Sequence, residues 1–187
     1  MTLVCTKKTL SSNKDTILID LDGVLSPLGS SADRFTVKTK IPYAEWYTTK
    51  KIQYTMEVLS RYATLVSIST WEEDSIVFAK KAGFPITRFL KHEYPMYDQR
   101  WFKADAIHEF LNQQKEKKVV IFDDELSTDK PEFNALRSEW NKQGVFIPII
   151  NGETGINKDI MHKTLKFLCS DIPVDIEVKK SGKEKSH

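Results

Sequence analysis

The chain contains 187 residues, of which 40% are hydrophobic and 29% are charged, and its formal net charge is +2. This composition excludes collagen-like and low-complexity architectures and predicts one globular domain. No apolar run has the length of a membrane span, and the first twelve residues lack the apolar core of a secretory signal. The only cysteines are Cys5 and Cys169, which we expect to be unpaired thiols in a cytoplasmic protein.

Positive charge is concentrated at the C-terminal end of the chain. Lys179–His187 contains four Lys and one Glu, which leaves the rest of the chain close to neutral. We therefore expect an N-terminal extension (1–14), a folded domain (15–170) and a basic, disordered tail (171–187). Because the folded part has no basic excess, composition alone does not indicate a nucleic-acid-binding protein.

Apolar, β-branched runs alternate with helical periodicities along the chain. The runs are typical of strands covered on both faces of a parallel sheet, and they are Thr16–Leu21, Thr64–Ser69, Ile86–Leu90, Lys118–Asp123 and Val145–Ile150. Helical spacing relates Ile52, Met56 and Leu59; Ala104, Ile107 and Leu111; Phe133, Leu136 and Trp140; and Met161, Leu165 and Leu168. The alternation predicts a three-layer α/β fold, with a Rossmann-like parallel sheet and helices on both faces.

Local signals predict several boundaries. Thr70-Trp-Glu-Glu73 has the form of a capping box, Gly83 fits the C-terminal end of a helix, and Thr128 is expected to cap the helix that follows it. Residues 26–46 are polar and separate the first strand from the first helix. They predict a small flap with a short hairpin around Phe35–Pro42, too small to be a domain.

Acidic or hydroxyl side chains follow three of the predicted strands. Asp20 and Asp22 end the first strand, Ser69 and Thr70 end the second, and Asp123 and Asp124 end the fourth. In open α/β sheets, ligands bind beyond the carboxyl ends of the strands. Carboxylates crowded there repel each other unless a cation neutralises them, and oxygen-rich sites of this kind suit magnesium.

The spacing of the first acidic pair suggests phosphoryl chemistry. Asp20 and Asp22 are two residues apart, so in an extended strand both side chains point to the same side. One carboxylate can then attack phosphorus while the other delivers a proton to the leaving oxygen. Gly23 lets the backbone turn sharply or a substrate approach closely.

At these residues the sequence resembles the haloacid dehalogenase superfamily of phosphotransferases. Four motifs of that family occur in order: apolar strands ending in Asp20-Leu-Asp22-Gly23, in Ser69-Thr70 and in Asp123-Asp124, with Lys103 ahead of the last at a predicted helix. A narrower likeness over residues 16–168 is to a small phosphatase-type domain that also occurs inside multidomain bacterial RNA-repair proteins. The resemblance implies a haloacid-dehalogenase-like fold. The segments at the two positions where that family inserts cap domains are short here, 26–46 with the helix after it and one helix, one strand and the loop 91–100, so we expect a minimal cap.

The resemblance also implies a role for each motif residue. Asp20 is expected to be the nucleophile that forms an aspartyl-phosphate, and Asp22 the acid and base of the reaction. Ser69, or Thr70 if the strand ends one residue later, is expected to donate to a phosphoryl oxygen. Lys103 is expected to neutralise both Asp20 and the phosphate.

A magnesium site follows from the same resemblance. The ion is expected to be held by Asp20, the main-chain carbonyl of Asp22 and Asp124, with Asp123 or Asp129 supporting it. Asp at the second motif position is the phosphatase pattern in this family. Two other cations, Lys91 and Arg100, are alternatives to Lys103.

The substrate is less sharply indicated than the chemistry. An uncapped site suits a phosphate on a large molecule, and aromatic and basic residues near the flap can stack bases and hold phosphates; they are Tyr43, Trp46, Tyr47, Lys50 and Lys51. Trp71 either stacks on a base or packs in the pocket floor. We therefore expect a magnesium-dependent phosphomonoesterase acting on a nucleic-acid terminal phosphate or a nucleotide, with no membrane partner. The alternatives are a small-metabolite or phosphoprotein phosphatase and a non-catalytic binding module of the same fold.

Overall fold

The computed structural model describes residues 15–28, 37–41, 44–93, 101–114 and 117–170. The predicted N-terminal extension and basic tail lie outside these residues. In chain order the elements are β1 (Asp15–Ile19), β2 (Val37–Ile41), β3 (Ala44–Thr48), α1 (Lys50–Ser60), β4 (Ala63–Ser67), α2 (Glu72–Ala82), β5 (Ile86–Phe89), α3 (Lys103–Gln113), β6 (Val119–Phe122), a 3₁₀ turn (Glu125–Ser127), α4 (Pro131–Lys142) and α5 (Lys158–Cys169).

Four strands form a parallel sheet in the order β5-β4-β1-β6. In this sheet Ile17 of β1 is paired with Leu65 of β4 on one side and Val120 of β6 on the other. Just beyond β1, the backbone N–H of Asp20 donates to the carbonyl of Phe122 over 2.8 Å. The residues that follow β1, β4 and β6 therefore emerge together at the carboxyl edge of the sheet.

Both faces of the sheet are covered by helices, as the sequence predicts. Ile17 and Ile19 of β1 pack in one apolar cluster with buried side chains of α1, α2 and α5. Leu18, between them, packs in a second cluster with α3 and α4. Successive side chains of a strand point to opposite faces, so this partition defines three layers. Fully burying such a side chain contributes about 1.5–3 kcal/mol, which explains why β1 is apolar throughout its centre.

The predicted fifth strand, Val145–Ile150, is wrong. Only Phe146 pairs with the sheet, in an isolated parallel bridge to Val120. Its N–H donates to the carbonyl of Val119 and its carbonyl accepts from Ile121, each over 3.0 Å. Pro148 has no N–H to donate two residues later, so the ladder cannot continue. Apolar side chains in this segment are still buried, which is why the sequence pattern imitates a strand.

Helix ends agree only in part with the local signals. Gly83 does end α2, in the left-handed conformation at φ 73°. The two predicted threonine caps are wrong. The N-cap of α2 is Trp71, with no side-chain hydrogen bond, and the N-cap of α4 is Lys130. Thr128 instead ends the preceding 3₁₀ turn, where its hydroxyl donates to the carbonyl of Glu125 over 2.8 Å.

The flap contains an antiparallel hairpin, β2–β3, in which Val37 pairs with Thr48 and Ile41 with Ala44. It lies further along the chain than the predicted hairpin and extends beyond residue 46. The remainder of the flap, residues 29–36 and 42–43, lies outside the described residues. On β3, Trp46 is 2% exposed, which ties the hairpin to the core.

The expectations about the cysteines and about membrane spans have different outcomes. Cys169 is disulfide-bonded, so the expectation of an unpaired thiol is wrong there, and Cys5 lies outside the described residues. Position along the chain could not reveal this, because a disulfide depends on the distance between Cα atoms in the fold. Among the helices of the described segments, none is long and apolar enough to cross a bilayer.

Candidate functional site

A buried lysine joins two buried carboxylates at the carboxyl edge of the sheet. The Nζ atom of Lys103 lies 2.6 Å from Oδ2 of Asp20 and 2.8 Å from Oδ2 of Asp123. The side chains of these three residues are 3%, 7% and 0% exposed. A fourth charge, Glu125, is half exposed and lies 3.7 Å from the same Nζ. Asp20 of the first motif, Asp123 of the fourth and the lysine of the third thus meet in one cluster.

Backbone groups hold the other oxygen of each carboxylate. Oδ1 of Asp20 accepts from the N–H of Leu21 over 2.8 Å, and Oδ1 of Asp123 accepts from the N–H of Leu126 over 3.1 Å. Lys103 is the first residue of α3, so the position of this helix against the sheet directs its ammonium group inward. Every one of these charged groups therefore has a partner, as burial requires.

The cluster carries more negative than positive charge. Burial raises the pKa of Asp20 to about 7, because the lowering by the Lys103 ammonium does not fully offset desolvation and the charge of Asp123. Burial and the charge of Asp123 also raise the pKa of Asp124, to about 6. Burial alone lowers the pKa of Lys103, but the Asp123 and Asp20 carboxylates outweigh it and hold that pKa above its ordinary value. One ammonium therefore faces four acids: Asp20, Asp123, Asp124 and Glu125.

Three of these acids could hold a divalent cation. One carboxylate oxygen from each of Asp20, Asp123 and Asp124 lies within 4.8 Å of the others. An all-oxygen set of this kind suits a hard cation such as magnesium, and such a cation would offset the excess negative charge. Asp129, the alternative supporting acid, is exposed and does not belong to this group.

Two glycines leave space for the Asp124 carboxylate. A Cβ atom on Gly23 would lie 2.3 Å from its Cγ and Oδ2 atoms, and one on Gly152 would lie 2.4 Å from Oδ2. Gly23 also has φ +68°, in the left-handed region that glycine adopts without steric cost. Both backbones thus form the walls of the Asp124 pocket, and side chains at either position would displace the carboxylate.

Asp22 faces a different environment from the other acids. Its Oδ1 accepts from the indole Nε1 of Trp46 over 3.1 Å, and its Oδ2 accepts from Nε1 of Trp71 over 2.7 Å. Its carboxylate is not among the three that lie close enough to share a cation. The side-chain oxygens of Asp22 are therefore held by two tryptophans.

The second motif begins two residues after β4 ends at Ser67. Ser69 is 1% exposed, and its hydroxyl oxygen lies 3.4 Å from the N–H of Trp71, which donates to it. Thr70 is partly buried in the same turn. Of the two alternative cations, Lys91 is exposed and Arg100 lies outside the described residues. The roles of Ser69 and Thr70 toward a phosphate stay predictions.

Two residues of the site escaped sequence reasoning. In the sequence Trp46 is only one of several aromatic residues near the flap, and no pattern assigns a role to Gly152. No motif marks either one. Trp46 reaches Asp22 across 24 positions of the chain, and Gly152 reaches Asp124 across the loop after the isolated bridge. Only the packing of the hairpin and of that loop against the sheet reveals them.

In the absence of a bound cation, we expect the free energy of unfolding to increase as pH falls from about 8 to about 5.5. Because the pKa of Asp20 is about 7 in the folded state against an ordinary 3.8, the folded state takes up a proton in this interval while the unfolded chain stays deprotonated at Asp20. Urea unfolding in EDTA at the two pH values measures the change, and Asp20→Asn should reduce it. An equal pH dependence in both proteins would contradict the assignment.

The fold and the site together define a class: an α/β protein whose parallel sheet ends in a buried lysine–carboxylate cluster. Comparison with protein-family models, with curated proteins and with solved structures found no match to this chain.

Proposed function

We propose that this chain is a magnesium-dependent phosphomonoesterase of the haloacid dehalogenase type, acting on a nucleic-acid terminal phosphate or on a nucleotide. The observation that carries the proposal is the contact of the Lys103 ammonium with both Asp20 and Asp123, at 2.6 and 2.8 Å. The four motifs of the resemblance lie far apart in the sequence. The lysine of the third motif nevertheless contacts one acid of the first and one of the fourth, which supports reading these three motifs as one site.

The reaction has two steps, and each balances on residues of this chain. In the first, a carboxylate oxygen of Asp20 forms a bond to phosphorus while the bond from phosphorus to the ester oxygen breaks. Asp22 gives that leaving oxygen a proton. In the second, water attacks the aspartyl-phosphate, Asp22 takes a proton from the water, and the bond from phosphorus to Asp20 breaks. Inorganic phosphate leaves, and both acids return to their starting state.

The electrostatic problem of this reaction is the approach of a carboxylate to a phosphate dianion. Lys103 reduces that repulsion from one side, since its ammonium already contacts the nucleophile. Ser69, buried at the same edge of the sheet, is the donor proposed for a phosphoryl oxygen. Magnesium, held by Asp20, Asp124 and the main-chain carbonyl of Asp22 with Asp123 behind them, would supply further neutralisation.

The proposed substrate class rests on the size of the flap. Within the described residues, the β2–β3 hairpin is the only sheet structure between β1 and α1. Its strands are five residues each, which is far less than a cap domain. A site covered so sparingly admits a phosphate at the end of a polymer, and this favours a nucleic-acid end over a small enclosed metabolite.

The direct test is phosphate release with magnesium from oligonucleotides phosphorylated at the 3′ or the 5′ end, beside mononucleotides, small phosphate esters and phosphopeptides. A preference for an oligonucleotide end supports the full proposal. Turnover of mononucleotides alone narrows it to a nucleotidase. Turnover of only metabolites or phosphopeptides removes the nucleic-acid part. Magnesium binding with no release from any ester overturns the enzymatic proposal and favours a binding module.

Gly152→Ala should weaken magnesium binding by about tenfold or more, because the new Cβ displaces the Asp124 carboxylate from its pocket. Titration calorimetry with Mg²⁺ measures the affinity. Gly144→Ala is the matched control, because it also adds a methyl group. The φ of +81° at Gly144 makes the substitution strained, but a Cβ atom there would meet nothing within 4 Å. That control should lose stability and keep its affinity. Equal affinities in Gly152→Ala and the natural sequence would exclude Asp124 as a ligand.

A further inference from the structure

The carboxylate of Asp22 is held at both oxygens by an indole pair, Trp46 and Trp71. The two N–H···O distances are 3.1 and 2.7 Å, and each indole uses a different oxygen. An indole N–H can only donate, so both bonds point the carboxylate in one direction. The two tryptophans come from separate elements, the β3 strand of the hairpin and the turn that begins α2.

The indole pair is itself held firmly. The rings of Trp46 and Trp71 meet edge to face with centroids 5.1 Å apart, and Trp46 also meets Phe78 at 5.7 Å. The hairpin is attached beside Asp22 as well, because the N–H of Tyr47 donates to Oγ of Ser26 over 3.1 Å. The orientation of Asp22 is therefore coupled to the packing of the hairpin.

Backbone strain lies next to Trp71. Glu72 has φ 41°, a left-handed conformation that costs a non-glycine residue about 1–2 kcal/mol. Its N–H donates to the carbonyl of Ser69 over 3.0 Å, and its carboxylate accepts from the N–H of His92 over 3.1 Å. These contacts maintain the turn that presents the Trp71 indole to Asp22.

Packing alone does not account for the direction of the two indoles. Trp140 is a fully buried tryptophan of the same chain, and its Nε1 has no hydrogen-bond partner. A tryptophan that only fills space in the core of this protein can thus leave its indole N–H without a hydrogen bond. Trp46 and Trp71 instead converge on the same carboxylate from different parts of the sequence.

We propose, on the basis of the phosphatase function above, that Trp46 and Trp71 are positioning residues for Asp22. The protonated Asp22 gives its proton to the leaving-group oxygen, and the two indole N–H groups hold the carboxylate that this transfer leaves, which then takes a proton from the attacking water. An aspartate side chain free to rotate would spend much of its time out of reach of that oxygen. Two N–H donors hold this side chain in place before the substrate arrives. The entropy of fixing it then no longer adds to the reaction barrier. The hairpin then contributes to catalysis through Trp46 and is more than a cover.

The test uses the dependence of the rate on the leaving group. A nucleoside monophosphate has a poor alkoxide leaving group that needs a proton. The p-nitrophenolate of p-nitrophenyl phosphate is a good leaving group and departs without one. We expect Trp46→Phe and Trp71→Phe to lower kcat/KM for the nucleotide by about 10- to 100-fold, and for p-nitrophenyl phosphate by less than about threefold. The ratio kcat/KM is used because it reports the step in which the leaving group departs.

Trp140→Phe is the matched control, because it removes the same buried ring volume without a bond to Asp22. It should affect both substrates equally. In an Asp22→Asn background, the two tryptophan substitutions should have no further effect on the nucleotide. Trp46→Phe is the more decisive of the two, since Trp46 is buried and cannot stack on a base.

An equal loss on both substrates, or an undiminished further loss in the Asp22→Asn background, would overturn the positioning role and leave the phosphatase function intact. The indole ¹H–¹⁵N resonances give a second readout that needs no activity. Asp22→Asn should shift the signals of Trp46 and Trp71 and spare that of Trp140. Unshifted signals would contradict the hydrogen bonds. Shifted signals with no turnover of any ester by the natural sequence would refute the phosphatase function and the positioning role with it.

Discussion

Asp20→Asn is expected to lower phosphate release by at least about 10³-fold on every substrate that the natural sequence turns over. Asparagine has nearly the same shape as aspartate, but its amide is not a nucleophile toward phosphorus. The remaining residues of the site, Lys103 among them, would still bind the phosphate. We therefore expect kcat to fall and the KM of the substrate to change little.

The covalent intermediate gives the sharper measurement. After brief mixing with a radiolabelled substrate and an acid quench, the natural sequence should retain label that hydroxylamine releases, as an acyl phosphate does. Asp20→Asn should retain none. Asp159→Asn is the control, because Asp159 is an exposed acid on α5 that pairs with the exposed Lys163, 2.7 Å away. Full turnover by Asp20→Asn, or label retained by that variant, would contradict the assignment of Asp20 as the nucleophile.

Lys103→Met should destabilise the fold by about 3–5 kcal/mol near pH 8, as breaking a buried ion pair generally does. The substitution removes the ammonium between Asp20 and Asp123, whose side chains are 7% and 0% exposed, and leaves two carboxylates without their counter-charge. The loss should shrink at lower pH, because the unpaired carboxylates can then take up protons. Urea unfolding of Lys103→Met and of the natural sequence, at about pH 8 and about pH 5.5, measures these differences.

Lys163→Met is the control for this comparison. Lys163 also lies close to an aspartate, with Nζ 2.7 Å from Asp159, but both side chains are more than 60% exposed. Exposed pairs contribute about 0–1 kcal/mol, so the substitution should have little effect. Similar losses in the two variants, or no loss in Lys103→Met, would show that the buried cluster does not depend on its lysine. Added magnesium should restore part of the lost stability if the three acids bind it.

The layered architecture was largely predictable from the sequence, because it depends on local periodicity. A strand buried on both faces needs an unbroken apolar run, and β1, β4 and β6 have one. The error at Val145–Ile150 comes from the same rule: burial makes a segment apolar whether or not it pairs. Whether it pairs depends on backbone N–H groups, and Pro148 removes one.

Helix ends were predicted less well than helix centres. Gly83 ends α2 as expected, since a left-handed residue there is a local requirement. Thr128 precedes a helix in the sequence, but its hydroxyl bonds within the turn before it. A serine or threonine near a helix has several backbone partners within reach, and the tertiary path of the chain selects one of them.

The candidate site divides in the same way. Asp20, Asp123 and Asp124 were predicted to be neighbours because parallel strands bring their carboxyl ends to one edge. Lys103 was predicted from resemblance alone, and its contact with Asp20 spans 83 positions of the chain. Trp46 and Gly152 were not predicted as site residues, because each is brought there by a loop or hairpin that carries no motif.

The sequence by itself thus determined the alternation of strands and helices, the apolar faces and the acids at the strand ends. These depend on side-chain chemistry and on the short periods of regular structure, which are local. Only the tertiary structure decided that the Asp22 carboxylate is held by two indoles, that two glycines make room for Asp124, and that one ammonium joins two buried carboxylates. These depend on distances between segments far apart in the chain, and such distances are set by how the whole core packs.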